Sequence, residues 1–461
     1  MGPEVARLRP PREQVAGRAP PGHLRSTSRK DPRHARSIQC RRPHGRPLPT
    51  RGTIITTPFR RPRARTATLL STTAILGLLL TGTGVTAATA ADAPTTPATS
   101  AATAPAVAPF DQATLDAPYP SNSTYDFVPM LDQFTSLKAN RPDIMKLNDK
   151  KTITINQAAT KAQSARAIID QYADMSITMS DGLGKDLGEI YRTAREAGQL
   201  PKTDALLAKN GGLVGKYSST NPVKTYFANP RPYVAFPLKL KYRDKPGGNA
   251  WAGQDGSYPS GHTSQAFWQG TALATMLPEL APQILARASD AGNNRIIMGA
   301  HYPLDVMAGR MMGQKIVERR WSDPEFRTLF EQASTELRTV LEAKCGAALA
   351  VCIAKDKPYL STKQALKVYE QRMSYDFPRV GDKGQPITVP TGAESLLITS
   401  HPDLTPEQRR QVLALTAIDS GEPLDEGTEG SWQRIDLPAA MAAKVVVTAD
   451  GTVSLVKTGK R

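Results

Sequence analysis

From about residue 110 to 375, apolar positions recur with the helical period. The spacing predicts amphipathic or buried helices over 155–175, 183–198, 263–277, 304–320 and 324–344. Local punctuation agrees with these bounds. Pro278 stops one helix, Pro303 suits the first turn of another, and Gly346 follows the last lysine of a third. No alternating strand runs occur there at regular spacing, so the expected class is an all-α helical bundle. After about residue 376 the pattern changes to Pro- and Gly-rich loops with one helix over 406–417. A terminal hairpin is expected where 444–448 and 452–457 flank Asp450-Gly451. Residues 376–461 therefore read as a small α+β C-terminal appendage to a helical domain over 110–375.

The N-terminal region follows a different rule. Residues 66–91 are uncharged, and their apolar centre, Leu69 to Leu80, is too short for a comfortable membrane span. Arg60, Arg61, Arg63 and Arg65 precede it and Ala88-Thr89-Ala90 follows, the three-part layout of a secretory signal peptide over 59–90. A retained anchor is the alternative, and Arg60-Arg61 is a weak twin-arginine signal because Pro62 comes next. Residues 1–58, rich in Arg, Pro and Gly, read as a disordered basic leader or a mis-assigned start. Residues 91–109 read as an Ala/Thr/Pro linker. The expected location is outside the cell or on the exterior of its envelope, with no stable membrane span in the mature chain.

Charge and cysteines refine this picture. The 461 residues carry a formal charge of +17, but 17 of the 59 Lys and Arg fall in residues 1–66, against only Glu4, Glu13 and Asp31. The remainder is nearly neutral, which removes any charge-based ground for nucleic-acid binding. Cys40 lies in the leader, while Cys345 and Cys352 are placed to close a small disulfide loop in an exported chain, or else remain as buried thiols. No Cys-His spacing has the form of a zinc site, and no metal is expected.

Histidines narrow the search for chemistry. His23, His34 and His44 belong to the leader, which leaves His262, His301 and His401. His401, in Ser400-His401-Pro402, reads as a surface-loop residue. Lys224 and Arg231 are separated by six intervening residues, and Pro230 and Pro232 restrict the backbone that aims the guanidinium. Ser260 and Gly261 precede an apolar helix, where a hydroxyl and free N–H groups favour an anion. Arg295 adds a planar fork for oxyanion binding. His301 and Asp305 are four residues apart around Pro303, so the carboxylate can bond one ring nitrogen and leave the other for attack. Met307, Met311 and Met312 read as core, with Gly309 and Gly313 permitting close helix approach. Trp251, Phe267 and Trp268 read as core or as the rim of a substrate mouth.

Three blocks in order, Lys224 to Arg231-Pro232, Pro259-Ser260-Gly261-His262, and Arg295 to His301 to Asp305, resemble the type 2 phosphatidic acid phosphatase superfamily. That superfamily joins bacterial acid phosphatases to vanadium-dependent haloperoxidases. The resemblance implies a helical bundle of that type and makes His301 the nucleophile, Asp305 its orienting partner and His262 the acid for the leaving group. It implies that Lys224, Arg231, Ser260, Gly261 and Arg295 bind phosphate. Asn294 departs from the pattern, which usually has Ser before the third-block arginine. The implied activity is a metal-independent acid phosphatase acting on small phosphomonoesters through a phosphohistidine. The alternative is a haloperoxidase holding vanadate in the same site.

Overall fold

Thr160 divides what the apolar period joins. In the computed structural model, which describes residues 108–253 and 255–456, the helix expected over 155–175 is two helices, α1 (Pro142–Ala158) and α2 (Lys161–Tyr172). The Thr160 hydroxyl accepts from the Gln163 N–H at 3.2 Å and the Gln163 side chain accepts from the Thr160 N–H at 2.9 Å. This reciprocal cap satisfies two otherwise unpaired donors and starts a new helix against the hydrophobic pattern. The expectations for residues 1–58 and 59–90, for most of 91–109, for Cys40 and for the end of the hairpin at Lys457 lie outside the described residues.

The other long helices are α3 (Lys185–Glu196), α4 (Gly261–Met276), α5 (Ala281–Ile297), α6 (Pro303–Trp321), α7 (Pro324–Cys345), α8 (Thr362–Ser374) and α9 (Pro406–Thr416). The class is helical, as the periodicity implies. One small antiparallel sheet pairs β1 (Val445–Val447) with β2 (Val453–Leu455), Val447 opposite Val453 across the Asp450-Gly451 turn. The helix α5 is not among those expected. Its buried Gln283, Arg287, Ser289, Asn294 and Arg295 interrupt the apolar period that would have revealed it.

The helix α4 packs against both α5 and α6, and this trio is the centre of the core. Two glycines of α6 set the approach. A Cβ at Gly309 would lie 2.7 Å from the Ser260 carbonyl oxygen, and one at Gly313 would lie 2.4 Å from the Phe267 Cβ. Met307, Met311 and Met312 fill the core around them, as do Phe267 and Trp268.

Because α6 is buried on nearly every face, its polar side chains require internal partners. Arg320 donates to the Ser121 hydroxyl and the Leu213 carbonyl, both at 2.8 Å. Arg310 donates to the Gln433 carbonyl at 2.8 Å and to the Gln433 side-chain oxygen at 2.5 Å. The C-terminal segment thus supplies acceptors to α6, and its Leu396, Leu397, Trp432 and Leu437 belong to the same hydrophobic cluster as the helices. His401, expected on the surface, is buried instead, with Nε2 2.8 Å from the Ala440 carbonyl oxygen. A carbonyl partner removes the cost of burying one ring nitrogen. Cys345 and Cys352 are joined by a disulfide that ties the end of α7 to the turn of helix Leu349–Lys355. Among the described residues, no helix is long and apolar enough to cross a membrane.

Candidate active site

The eight candidate residues come from five places in the chain and meet at one end of the α4–α5–α6 core. Lys224 lies on the short helix Asn221–Phe227, and Arg231 just before the turn Pro232–Ala235. Ser260 is the N-cap of α4, Gly261 its first residue and His262 its second. Arg295 is in the last turn of α5, His301 precedes α6, and Asp305 is in the first turn of α6. A cavity of about 330 Å³ is lined by Lys224, Arg231, Gly261, His262, Arg295 and His301 among others.

Local chemistry accounts for each placement. The Ser260 hydroxyl accepts from the Thr263 N–H at 3.3 Å and from the Thr263 hydroxyl at 2.8 Å. Its lone pairs are thereby engaged, and its own proton remains available to an anion at the helix N-terminus. A Cβ at Gly261 would lie 3.0 Å from the Thr220 hydroxyl, close enough that the Thr220 side chain would have to give way. Ser257 donates its N–H to the Asn229 carbonyl at 2.7 Å and accepts from the Asn229 amide at 2.9 Å, which bolts the Arg231 loop to the loop before Ser260.

His301 has its two nitrogens in opposite company. Nδ1 lies 3.1 Å from Asp305 Oδ2, which also accepts from the Tyr302 N–H at 2.9 Å. Nε2 lies 2.9 Å from Arg231 Nη1. A guanidinium only donates, so Nε2 must carry the lone pair and Nδ1 the proton. Burial and then the charges of Arg231 and Lys224 hold the ring well below the ordinary imidazole range, so it is neutral at Nε2. Burial pushes Asp305 up, yet the two donors at Oδ2 require it to accept.

His262 Nε2 faces the Gln171 carbonyl oxygen at 3.3 Å, which places a proton on Nε2. The Arg295 charge, followed by burial, holds this ring well below its ordinary value. Arg295 is itself pushed down to about 9, first by burial and then by Arg231. It still carries its charge at neutral and acid pH. Burial and the neighbouring Arg231 likewise lower Lys224.

Three participants lie outside the three blocks of sequence. Gln171, at the end of α2, accepts at its side-chain oxygen from Arg295. Tyr233 stacks on Trp251, 5.5 Å between centroids, and donates to the Gly253 carbonyl at 2.5 Å, walling one side. Asp255 pairs with both Lys224 and Arg231. Partial burial opposes its ionisation, and hydrogen bonds from those two cations more than reverse this, holding it down at about 2. Tyr233 could have been suspected from its place beside Arg231-Pro232, but Gln171 is 124 residues from its partner. Asn294 points away from the oxyanion groups and donates to Asp170 at 2.7 Å. Arg287 holds the same carboxylate at 2.5 Å.

A helical body with this constellation at its end defines a class. Residues 206–319 match the family model described as the PAP2 superfamily, and this stretch contains all eight candidate residues. The resemblance carried by the three blocks therefore holds for the segment that forms the site. Among curated proteins, a non-specific acid phosphatase of Salmonella typhi is 33% identical over 124 residues, 27% of this chain and 48% of that protein. An acid phosphatase of Zymomonas mobilis subsp. mobilis is 30% identical over 178 residues, 38% of this chain and 64% of that protein. A non-specific acid phosphatase of Providencia stuartii is 31% identical over 121 residues, 26% of this chain and 46% of that protein. The chain spans about half the length of most of the curated relatives it matches.

Proposed function

We propose that the protein is an exported acid phosphatase that hydrolyses small phosphomonoesters through a phosphohistidine, with no metal ion in the reaction. The observation that carries this reading is His301, neutral, with Nδ1 held by Asp305 and Nε2 facing the cations. The relatives described above, all acid phosphatases, support hydrolysis over halide oxidation with vanadate.

In the first step Nε2 of His301 attacks phosphorus, the N–P bond forms, and the ester P–O bond opposite it breaks. Asp305 accepts the Nδ1 proton's hydrogen bond and stabilises the positive ring that develops. Lys224, Arg231 and Arg295, with the Ser260 hydroxyl and the N–H groups at the start of α4, meet the charge on the equatorial oxygens. His262 gives a proton to the leaving oxygen. In the second step water attacks phosphorus, His262 takes its proton, the N–P bond breaks, and orthophosphate is left beside a neutral His301. The anionic substrate also draws Arg231 Nη1 off Nε2, freeing the lone pair for attack.

The test is direct. Rapid quench of the full chain and a chromogenic phosphate ester into alkaline denaturant, in which an N–P bond survives, should give an acid-labile phosphoryl group mapping to His301 by mass spectrometry, and turnover should survive EDTA. An adduct elsewhere, or full turnover by His301→Ala, would overturn the mechanism.

A further inference from the structure

The cations assigned to phosphate already hold an anion of the chain's own. One carboxylate oxygen of Asp255 takes the Lys224 ammonium, and the other takes Arg231 Nη2 at 2.7 Å. The backbone of the same loop adds to this grip, the Asp255 carbonyl accepting from Arg231 Nε at 3.2 Å and the Gly256 carbonyl from Lys224 at 2.8 Å. Asp255 reaches in from solvent: its side chain is 47% exposed, whereas those of Lys224 and Arg231 are 6% and 10% exposed. It also lines two cavities at once, the one containing His262, Arg295 and His301, and a second of about 660 Å³ bordered by Asn221, Thr225, Asn229 and Val234.

Carboxylate and phosphate present oxygens of similar geometry to a guanidinium fork, so both groups compete for the same donors. They also repel one another. A phosphoryl group bound by Lys224 and Arg231 therefore requires the Asp255 side chain to leave them, and the exposed side of that residue offers a way out to water.

We infer that Asp255 is an internal counter-ion that substrate phosphate must displace, and that its return to Lys224 and Arg231 helps to expel orthophosphate. This rests on reading those two cations as phosphate ligands. The exchange is ionic and breaks no covalent bond. It makes Asp255 a determinant of selectivity, because a doubly charged monoester competes against the carboxylate better than a singly charged diester does.

The measurement is orthophosphate affinity of the full chain by titration calorimetry, for the wild type, Asp255→Asn, Asp255→Ala and Asp255→Glu. Removing the carboxylate should tighten orthophosphate binding about tenfold in both neutral variants. KM for a phosphomonoester should fall in parallel, while the carboxylate kept in Asp255→Glu should restore weaker binding. A residue that merely holds Lys224 and Arg231 in place gives the opposite sign, so unchanged or weaker binding in both neutral variants would overturn the inference. If no form of the chain, wild type included, binds orthophosphate, the reading of Lys224 and Arg231 fails and the inference falls with it.

Discussion

The backbone N–H of Ser260 donates to the carbonyl oxygen of Asp305 at 3.0 Å. This bond joins the start of α4 to the first turn of α6, so the group that caps one helix is fixed against the residue that orients His301. Two blocks of sequence more than forty residues apart thereby become one rigid fixture, and the third side is closed by the Arg231 loop. Pre-set geometry of this kind lowers the reorganisation needed when charge develops on phosphorus.

His301→Ala should abolish turnover, and Asp305→Asn should lower kcat by about 10²–10⁴-fold with little change in fold, because an amide no longer enforces the Nδ1 proton. Steady-state rates on a chromogenic ester, with circular dichroism to confirm folding, check this. Near-wild-type turnover by Asp305→Asn would contradict the assigned tautomer.

The protonation of His262 should respond to an anion. Arg295 and burial hold its pKa well below 6.5, so without a counter-charge the imidazolium is scarce at neutral pH. A dianion among the cations cancels part of that repulsion and favours the imidazolium, raising the pKa. Proton NMR titration of the ring, without and with sulfate, which keeps its charge throughout the range, should show an upward shift. A pKa that stays fixed or falls would argue against His262 as the leaving-group acid.

Gly313→Ala should destabilise the fold by about 1–3 kcal/mol, the usual cost of overpacking a tight core. The added methyl would meet the Phe267 Cβ at 2.4 Å and the Ser264 carbonyl oxygen at 2.8 Å, neither of which can rotate away. Because α4 carries Ser260 and His262, kcat should fall as well. Chemical denaturation read beside kinetics tests both effects, and a neutral substitution would mean that α4 and α6 are less closely packed.

Arg310→Met should cost about 2–3 kcal/mol, since it leaves buried carbonyl oxygens of the 432–433 segment without donors. The expected signature is a lower midpoint in urea and earlier proteolysis within residues 376–456. Unchanged protection there would show that the segment is held by its apolar contacts alone.

How much of this was readable before any coordinates depends on how local each signal is. His301 and Asp305 could be paired because four residues around a helix-starting proline bring side chains together, and Ser260 announced itself as a cap before an apolar helix. The helix α5 gives no such signal although Arg295 stands out, because a helix buried on polar as well as apolar faces has no clean hydrophobic period. The break at Thr160 was written in the sequence as a capping box but was outweighed by the apolar run across it. Gln171 and Asp255 had no local mark. Their roles arise only when helices distant in sequence are set side by side. His401 misled for a related reason: Pro402 suggests a loop, and nothing nearby foretells the Ala440 carbonyl that lets the ring be buried.

The grip of Gln433 on Arg310 has a practical corollary for anyone trimming this protein. Cutting the chain at residue 375 would look like removal of an ornament, yet it would strand a guanidinium in the interior of the very helix whose opening turn bears Asp305. Residues 376–456 are better understood as part of the packing that keeps that helix buried than as a passenger.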